Sequence, residues 1–282
     1  MTTAGTSREH GPDTAQVGVR GMHCQTNGIR IHYLDFNHDA PGTPILLLPG
    51  ITSPAATWAF VAQRLAASRR VVVPDIRGRG LSDSGPGLGY SVDDYARDAL
   101  GLIEAAGLQR PIVIGHSMGA RIAARLVAMA PDVASRLVLA DPPLSGPGRD
   151  PYPTPLSSYI SAREAASNGA TVEQFRALTP TWADEQIALR IQWLPSCSVE
   201  AITASHRNFH KEDAFTDFPK LHCPTLLIRA MRAKVVTAEL AEEVAGLLPD
   251  GQVVGVDAGH MIPFDNLEDF LAAIEKFIAP AK

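Results

Sequence analysis

The sequence predicts an α/β fold: a mostly parallel central sheet flanked by helices, with a helical segment inserted late in the chain. Three observations predict it. Short apolar runs recur along the chain, amphipathic stretches with one apolar stripe separate them, and the alternation lapses between residues 142 and 219. Strands covered on both faces read as continuous apolar runs, and alternation with helices places them in one parallel sheet.

Residues 1–17 are polar and are expected to form a flexible tail; they lack the basic start and apolar middle of a signal peptide. Gly28–Tyr33 alternates with period two, which suits an antiparallel edge strand. Ile45–Leu48 is stopped by Pro49-Gly50, Val71–Val73 by Pro74, and Ile112–Ile114 by Gly115. Leu137–Leu139 runs into Asp141-Pro142-Pro143, and Leu226–Ile228 with Val253-Val254 completes the set. Apolar residues three and four apart predict helices over 91–107 and 266–278. The core is therefore expected over 18–141 and 220–282. Residues 142–219 open on a Pro/Gly-rich stretch and continue in helix-like pieces near 156–168, 171–178, 181–193 and 198–209. A helical insertion of this size between two core strands is expected to act as a cap or lid.

A chain of 282 residues accommodates one catalytic domain with such an insertion. The net charge of −5, with no basic run, argues against a nucleic-acid partner. No apolar run approaches the ~20 residues of a membrane span, so no membrane association and a cytoplasmic location are expected. Cys24, Cys197 and Cys223 are few, odd in number and far apart, which argues against a disulfide framework and a thiolate metal site. No metal and no cofactor is expected.

The chemistry centres on Gly115-His116-Ser117-Met118-Gly119. G-x-S-x-G alone is a weak pattern, but here it joins a strand run to a helix beginning near Met118. A sharp strand-to-helix turn lifts the Ser Oγ above the sheet edge, and the helix N-terminus behind it favours developing negative charge. The oxyanion hole is expected to combine the Met118 N–H with that of Ile51, in the loop Leu48–Thr52. A hydroxyl nucleophile needs an imidazole to take its proton. Of nine histidines, His260 follows the last strand run and precedes the last helix, where the chain order Ser, acid, His places the base. His116 is expected to pack. His206 and His210 lie four apart with no third metal ligand evident. The stretch after Thr225–Arg229, where many proteins of this fold carry the acid, has none, and that position falls on Ala233. Asp141, at the end of the earlier strand, is the candidate; its alternative is a turn-starting Asp before Pro142.

With these residues in place, the runs Pro49–Pro54, Asp75–Ser82, Gly115–Arg121, Asp141–Arg149, Trp182–Gln186 and Ala258–Pro263 together resemble the N-formylmaleamate deformylases, α/β-hydrolases of aerobic nicotinate breakdown. The likeness runs from about residue 26 to the C-terminus, cap included. That family takes its acid from after the earlier strand, which maps to Asp141. The acetamidomethylene-succinate hydrolases of vitamin B6 breakdown are similar, with a weaker match in the cap. Ala230–Lys234 departs from the deformylase pattern, which has more glycine there. The resemblance implies attack of Ser117 on a formyl carbonyl, expulsion of maleamate with a proton from His260, and hydrolysis of the formyl-enzyme. The implied substrate is a small anionic amide, so a guanidinium is useful. Arg121 and Arg149 are candidates, each with a purely structural alternative, and Trp182 is a candidate pocket wall or cap core residue. An esterase of the same fold and a non-catalytic binding protein stand as alternatives. Haloalkane dehalogenase and epoxide hydrolase chemistry is excluded by Ser, rather than Asp, at the elbow.

Overall fold

The computed structural model describes residues 17–279. The expected tail, residues 1–17, lies outside the described residues but for Val17. The sheet strands are β1 (Val19–Thr26), β2 (Ile29–Phe36), β3 (Ile45–Leu48), β4 (Val71–Pro74), β5 (Ile112–His116), β6 (Arg136–Ala140), β7 (Thr225–Ala230) and β8 (Gly251–Val256). The helices are α1 (Ala59–Leu65), α2 (Val92–Ala105), α3 (Met118–Met129), α4 (Leu156–Ser167), α5 (Val172–Arg176), α6 (Asp184–Trp193), α7 (Val199–Lys211), α8 (Ala238–Leu247), α9 (Ile262–Asp265) and α10 (Leu267–Ile278). The strands form one sheet in the order β1-β2-β4-β3-β5-β6-β7-β8. Only β2 runs against the others, pairing antiparallel with β1 and β4.

The alternating run near residue 30 does form a strand, but not the edge expected of it, because β1 pairs outside it. β1 is exposed along most of its length, so it has no apolar face by which a sequence announces a strand. The central strands β3, β4 and β5 are buried throughout. Where the sequence carries a capping box, the helix starts on it: Ser91 accepts from Asp94 N–H, and the Asp94 carboxylate accepts from Ser91 N–H.

The order reverses at β3, whose neighbours are β4 and β5. Open α/β sheets bind ligands at the carboxyl ends of strands at such a switch point. β3 leads there into Pro49–Pro54 and β5 into Ser117, and the register Leu48↔Gly115 sets the two turns side by side. Between β6 and β7, α4 to α7 form the helical excursion. No helix of the described residues is long and apolar enough to cross a membrane.

Candidate active site

Ser117 sits between β5 and α3 with φ 54° and ψ −121°. A non-glycine residue there carries roughly 1–3 kcal/mol of strain, held in place by close packing. A Cβ at Gly115 would strike the Gly119 carbonyl, and one at Gly119 the Leu48 carbonyl, so both positions need glycine for the turn to close. The turn points Oγ toward the loop after β8. His260 Nε2 lies 2.9 Å from Ser117 Oγ, and His260 Nδ1 lies 2.6 Å from Asp141 Oδ2. A carboxylate accepts only, so Nδ1 carries the proton and Nε2 presents its lone pair to the Ser117 hydroxyl.

Asp141 is fully buried just past β6, with a φ of 46°. Its N–H donates to the Ile228 carbonyl at 2.8 Å, and its Oδ1 accepts the Ala230 N–H at 3.2 Å. The end of β7 thus holds the acid rather than supplying one. Asp257, the other carboxylate close to His260 in the chain, is paired with Arg232 at 2.9 Å.

On the other side of Ser117 lie the two expected oxyanion donors. Among the described residues, neither the Ile51 nor the Met118 N–H meets a backbone acceptor. Arg79, which the sequence offers only as part of the Asp75–Ser82 run, is buried beneath them. Its Nε–H donates to the Ile51 carbonyl at 3.0 Å, and one terminal nitrogen lies 3.7 Å from Met118 Sδ. Its remaining bonds go to the Arg77 carbonyl, Tyr95 Oη, the Ala201 carbonyl and Ser205 Oγ. All five N–H groups are therefore engaged, and the oxyanion loop is pinned to α7.

A serine on a strained turn, an imidazole on its hydroxyl and a buried carboxylate behind the imidazole stand at the switch point of the sheet. The family described as alpha/beta hydrolase fold matches residues 43–267. The chain belongs to the α/β-hydrolase family. It is 45% identical over 92% of its length, and 97% of the relative's, to the N-formylmaleamate deformylase of Pseudomonas putida. It is 29% identical over 87% of its length, and 91% of the relative's, to the 2-(acetamidomethylene)succinate hydrolase of Mesorhizobium japonicum. The crystal structure of the N-formylmaleamic acid deformylase of Pseudomonas putida S16 superposes with a TM-score of 0.86 at 45% identity, covering 91% of this chain and all of the other.

In this α/β-hydrolase each of the three residues expected to bind substrate has partners within the protein. The Arg121 guanidinium donates to the Ser145, Phe209 and Glu212 carbonyls, and burial lowers its pKa to about 10. It ties α3 to the end of α7. Arg149 forms a bidentate pair with Glu243, at 3.0 and 2.6 Å, with its guanidinium over the Phe215 ring. Trp182 is buried and stacks on Phe264 with centroids 4.1 Å apart.

Tyr152 is a residue that sequence reasoning missed. It is 5% exposed, and its hydroxyl lies 3.4 Å from His260 Nε2 and 3.1 Å from Tyr159 Oη. The flanking Pro151 and Pro153 are the one signal that it is held extended and rigid. Tyr152 also lines a cavity of about 550 Å³, together with Leu144, Ser145, Arg149, Lys234 and Leu240. Burial pushes the Tyr152 hydroxyl well above its ordinary pKa, so it stays protonated as a donor near the imidazole.

His116 packs, as expected, with its ring 5.1 Å from those of Trp58 and His260. It also donates Nε2–H to the His260 carbonyl at 2.7 Å, steadying the base's backbone. Its Nδ1 is buried with no partner among the described residues. Burial, and secondarily the nearby His260, lowers its pKa to about 3. In the unfolded chain His116 gains its proton below about pH 6.5, while the folded protein excludes it until about pH 3. The stability it contributes is therefore complete above pH 6.5 and declines as the pH falls toward 3, by at most roughly 1.4 kcal/mol per pH unit. His116→Gln keeps an N–H donor for the His260 carbonyl without the titration. Its thermal midpoint is expected to fall less steeply than that of wild type from pH 6.5 to 4; parallel curves would contradict a neutral, buried His116.

Proposed function

We propose that this protein hydrolyses the amide of a small carboxylate-bearing substrate, N-formylmaleamate, to maleamate and formate. The observation that carries the proposal is the relay from Ser117 Oγ through His260 to Asp141, with the acid placed after β6. The 45% identity to a deformylase along nearly the whole chain supports the choice of acyl group. His260 Nε2 takes the Ser117 proton as Oγ attacks the formyl carbon, and the oxygen's charge is received by the Ile51 and Met118 N–H groups. The imidazolium, stabilised by Asp141, returns the proton to the amide nitrogen, and maleamate leaves. Water then gives a proton to His260 and attacks the formyl ester; collapse frees formate and restores Ser117. Each step needs only these side chains and water. Ser117 is 2% exposed and Tyr152 5%, so residues 142–219 act as a cap that opens to admit substrate. A cytoplasmic location and the lack of a nucleic-acid partner are part of the same proposal, the second supported by the net charge of −5.

Formate release from N-formylmaleamate, followed beside a panel of p-nitrophenyl esters, tests the proposal. The expected kcat/KM for N-formylmaleamate exceeds that for every ester of the panel. Rapid ester turnover without formate would replace the deformylase reading with an esterase.

A further inference from the structure

A substrate with a carboxylate needs a cation that is not already spoken for, and the two arginines singled out in the sequence are both committed. The other buried and half-buried guanidiniums divide by how their donors are used. Arg77 is paired with Asp98, and Arg125 with Asp93 and Asp217. Arg79 is saturated by the Ile51, Arg77 and Ala201 carbonyls, Tyr95 and Ser205. Arg163 is turned to the Pro195 and Cys197 carbonyls within the helical segment.

Arg190, in the last turn of α6, resembles Arg163 in having two bonds and no carboxylate partner, but its bonds leave the helical segment for the turn after β3. One terminal nitrogen donates to the Thr52 carbonyl at 3.2 Å, and the other to Thr52 Oγ1 at 3.0 Å. No carboxylate among the described residues pairs with it, and three of its five N–H groups meet no protein acceptor. It stands beside the turn that carries one expected oxyanion donor. Thr52 follows Ile51, whose N–H is the oxyanion donor. Tyr159, whose hydroxyl feels the Arg190 charge, reaches Tyr152 and through it His260. Burial depresses the Arg190 pKa, which reflects a cation held away from bulk water without a compensating anion.

We propose that Arg190 is the specificity-determining cation of this site and binds the carboxylate of the substrate's leaving group. Seated on Thr52, it lies beside the oxyanion loop, so an acyl oxygen on the Ile51 amide and a carboxylate on Arg190 belong to one short molecule. Its free N–H groups suit a planar, bidentate acceptor. The bonds to Thr52 hold the guanidinium in place before substrate arrives, so little ordering is left to do on binding. The inference rests on the proposed hydrolysis of a carboxylate-bearing amide.

The test measures kcat and KM of wild type, Arg190→Met and Arg190→Lys with N-formylmaleamate and with uncharged p-nitrophenyl acetate. The ratio of the two substrates on one protein cancels any loss of folded enzyme. Arg190→Met is expected to lower that ratio of kcat/KM by about 10- to 100-fold, chiefly through KM, the effect of losing a charge-assisted hydrogen-bonded pair. Arg190→Lys, which keeps the charge but not the fork, is expected to recover part of the loss. Equal losses on both substrates would make Arg190 a support of the Thr52 loop and overturn the inference. An unchanged ratio would overturn it too. If wild type released no formate at all, the deformylase reading itself would fail, an outcome distinct from either.

Discussion

Ser117→Ala is expected to lower kcat for N-formylmaleamate by on the order of 10⁶-fold, with the fold intact. The variant removes the one oxygen that, in the proposed mechanism, bonds to the formyl carbon. It leaves His260 hydrogen-bonded to Asp141, because that contact does not involve Ser117. Alanine keeps a Cβ at the same strained φ of 54°, so the packing of the turn is retained. What survives should be the modest acceleration that the oxyanion donors and substrate positioning supply to attack by water, about 10³- to 10⁴-fold over solution. Formate release under single-turnover conditions, beside thermal unfolding of the same preparation, checks both halves. A loss of only tenfold at an unchanged thermal midpoint would remove Ser117 from the chemistry.

Asp141→Asn is expected to cost about 10⁴ in kcat. Asparagine has the shape of aspartate and, like it, tolerates the left-handed backbone that Asp141 adopts at φ 46°. Its carbonyl oxygen can still accept the Ala230 N–H. The amide then faces His260 Nδ1 with N–H, which favours the tautomer carrying its proton on Nε2, where it can no longer take one from Ser117. The loss should fall on kcat and kcat/KM alike, since the imidazolium forms only as the reaction proceeds. Asp141→Ala is the less clean variant, because it adds backbone strain and leaves the Ala230 N–H without its partner. Turnover of Asp141→Asn within about tenfold of wild type would show that Asp141 is not the orienting acid.

The central strands were legible because each is a short apolar run closed by proline or glycine, and burial on both faces makes such a run necessary. β1 was not, because its side chains face solvent and carry no pattern. Ser117, His260 and Asp141 each follow a strand at the edge where loops converge, so their positions could be inferred from strand ends and chain order. The absence of a carboxylate around Ala233 pointed to Asp141, and the buried contact with Ala230 gives the physical counterpart.

The arginines were the opposite case. Arg121 and Arg149 stand near catalytic motifs in the chain, yet the structure spends one on the carbonyls of α7 and its following turn and the other on Glu243. Arg190 lies four residues after the Trp182–Gln186 run but outside it, and meets the oxyanion loop only through the fold of the helical segment, across 138 residues. Tyr152 and Arg79 were hidden for the same reason. A side chain's partners in a long insertion depend on how its helices dock, and apolar periodicity carries no information on which polar group meets which.

The account stands on Ser117 as the nucleophile that releases formate from an N-formyl amide. Titration of the enzyme with a serine-directed fluorophosphonate, scoring label per chain, the labelled peptide and residual formate release from N-formylmaleamate, tests it most directly. The predicted result is one label per chain on the peptide containing Ser117, with formate release lost in proportion to labelling and protected by maleamate. Formate release that persists in fully labelled enzyme would contradict the account.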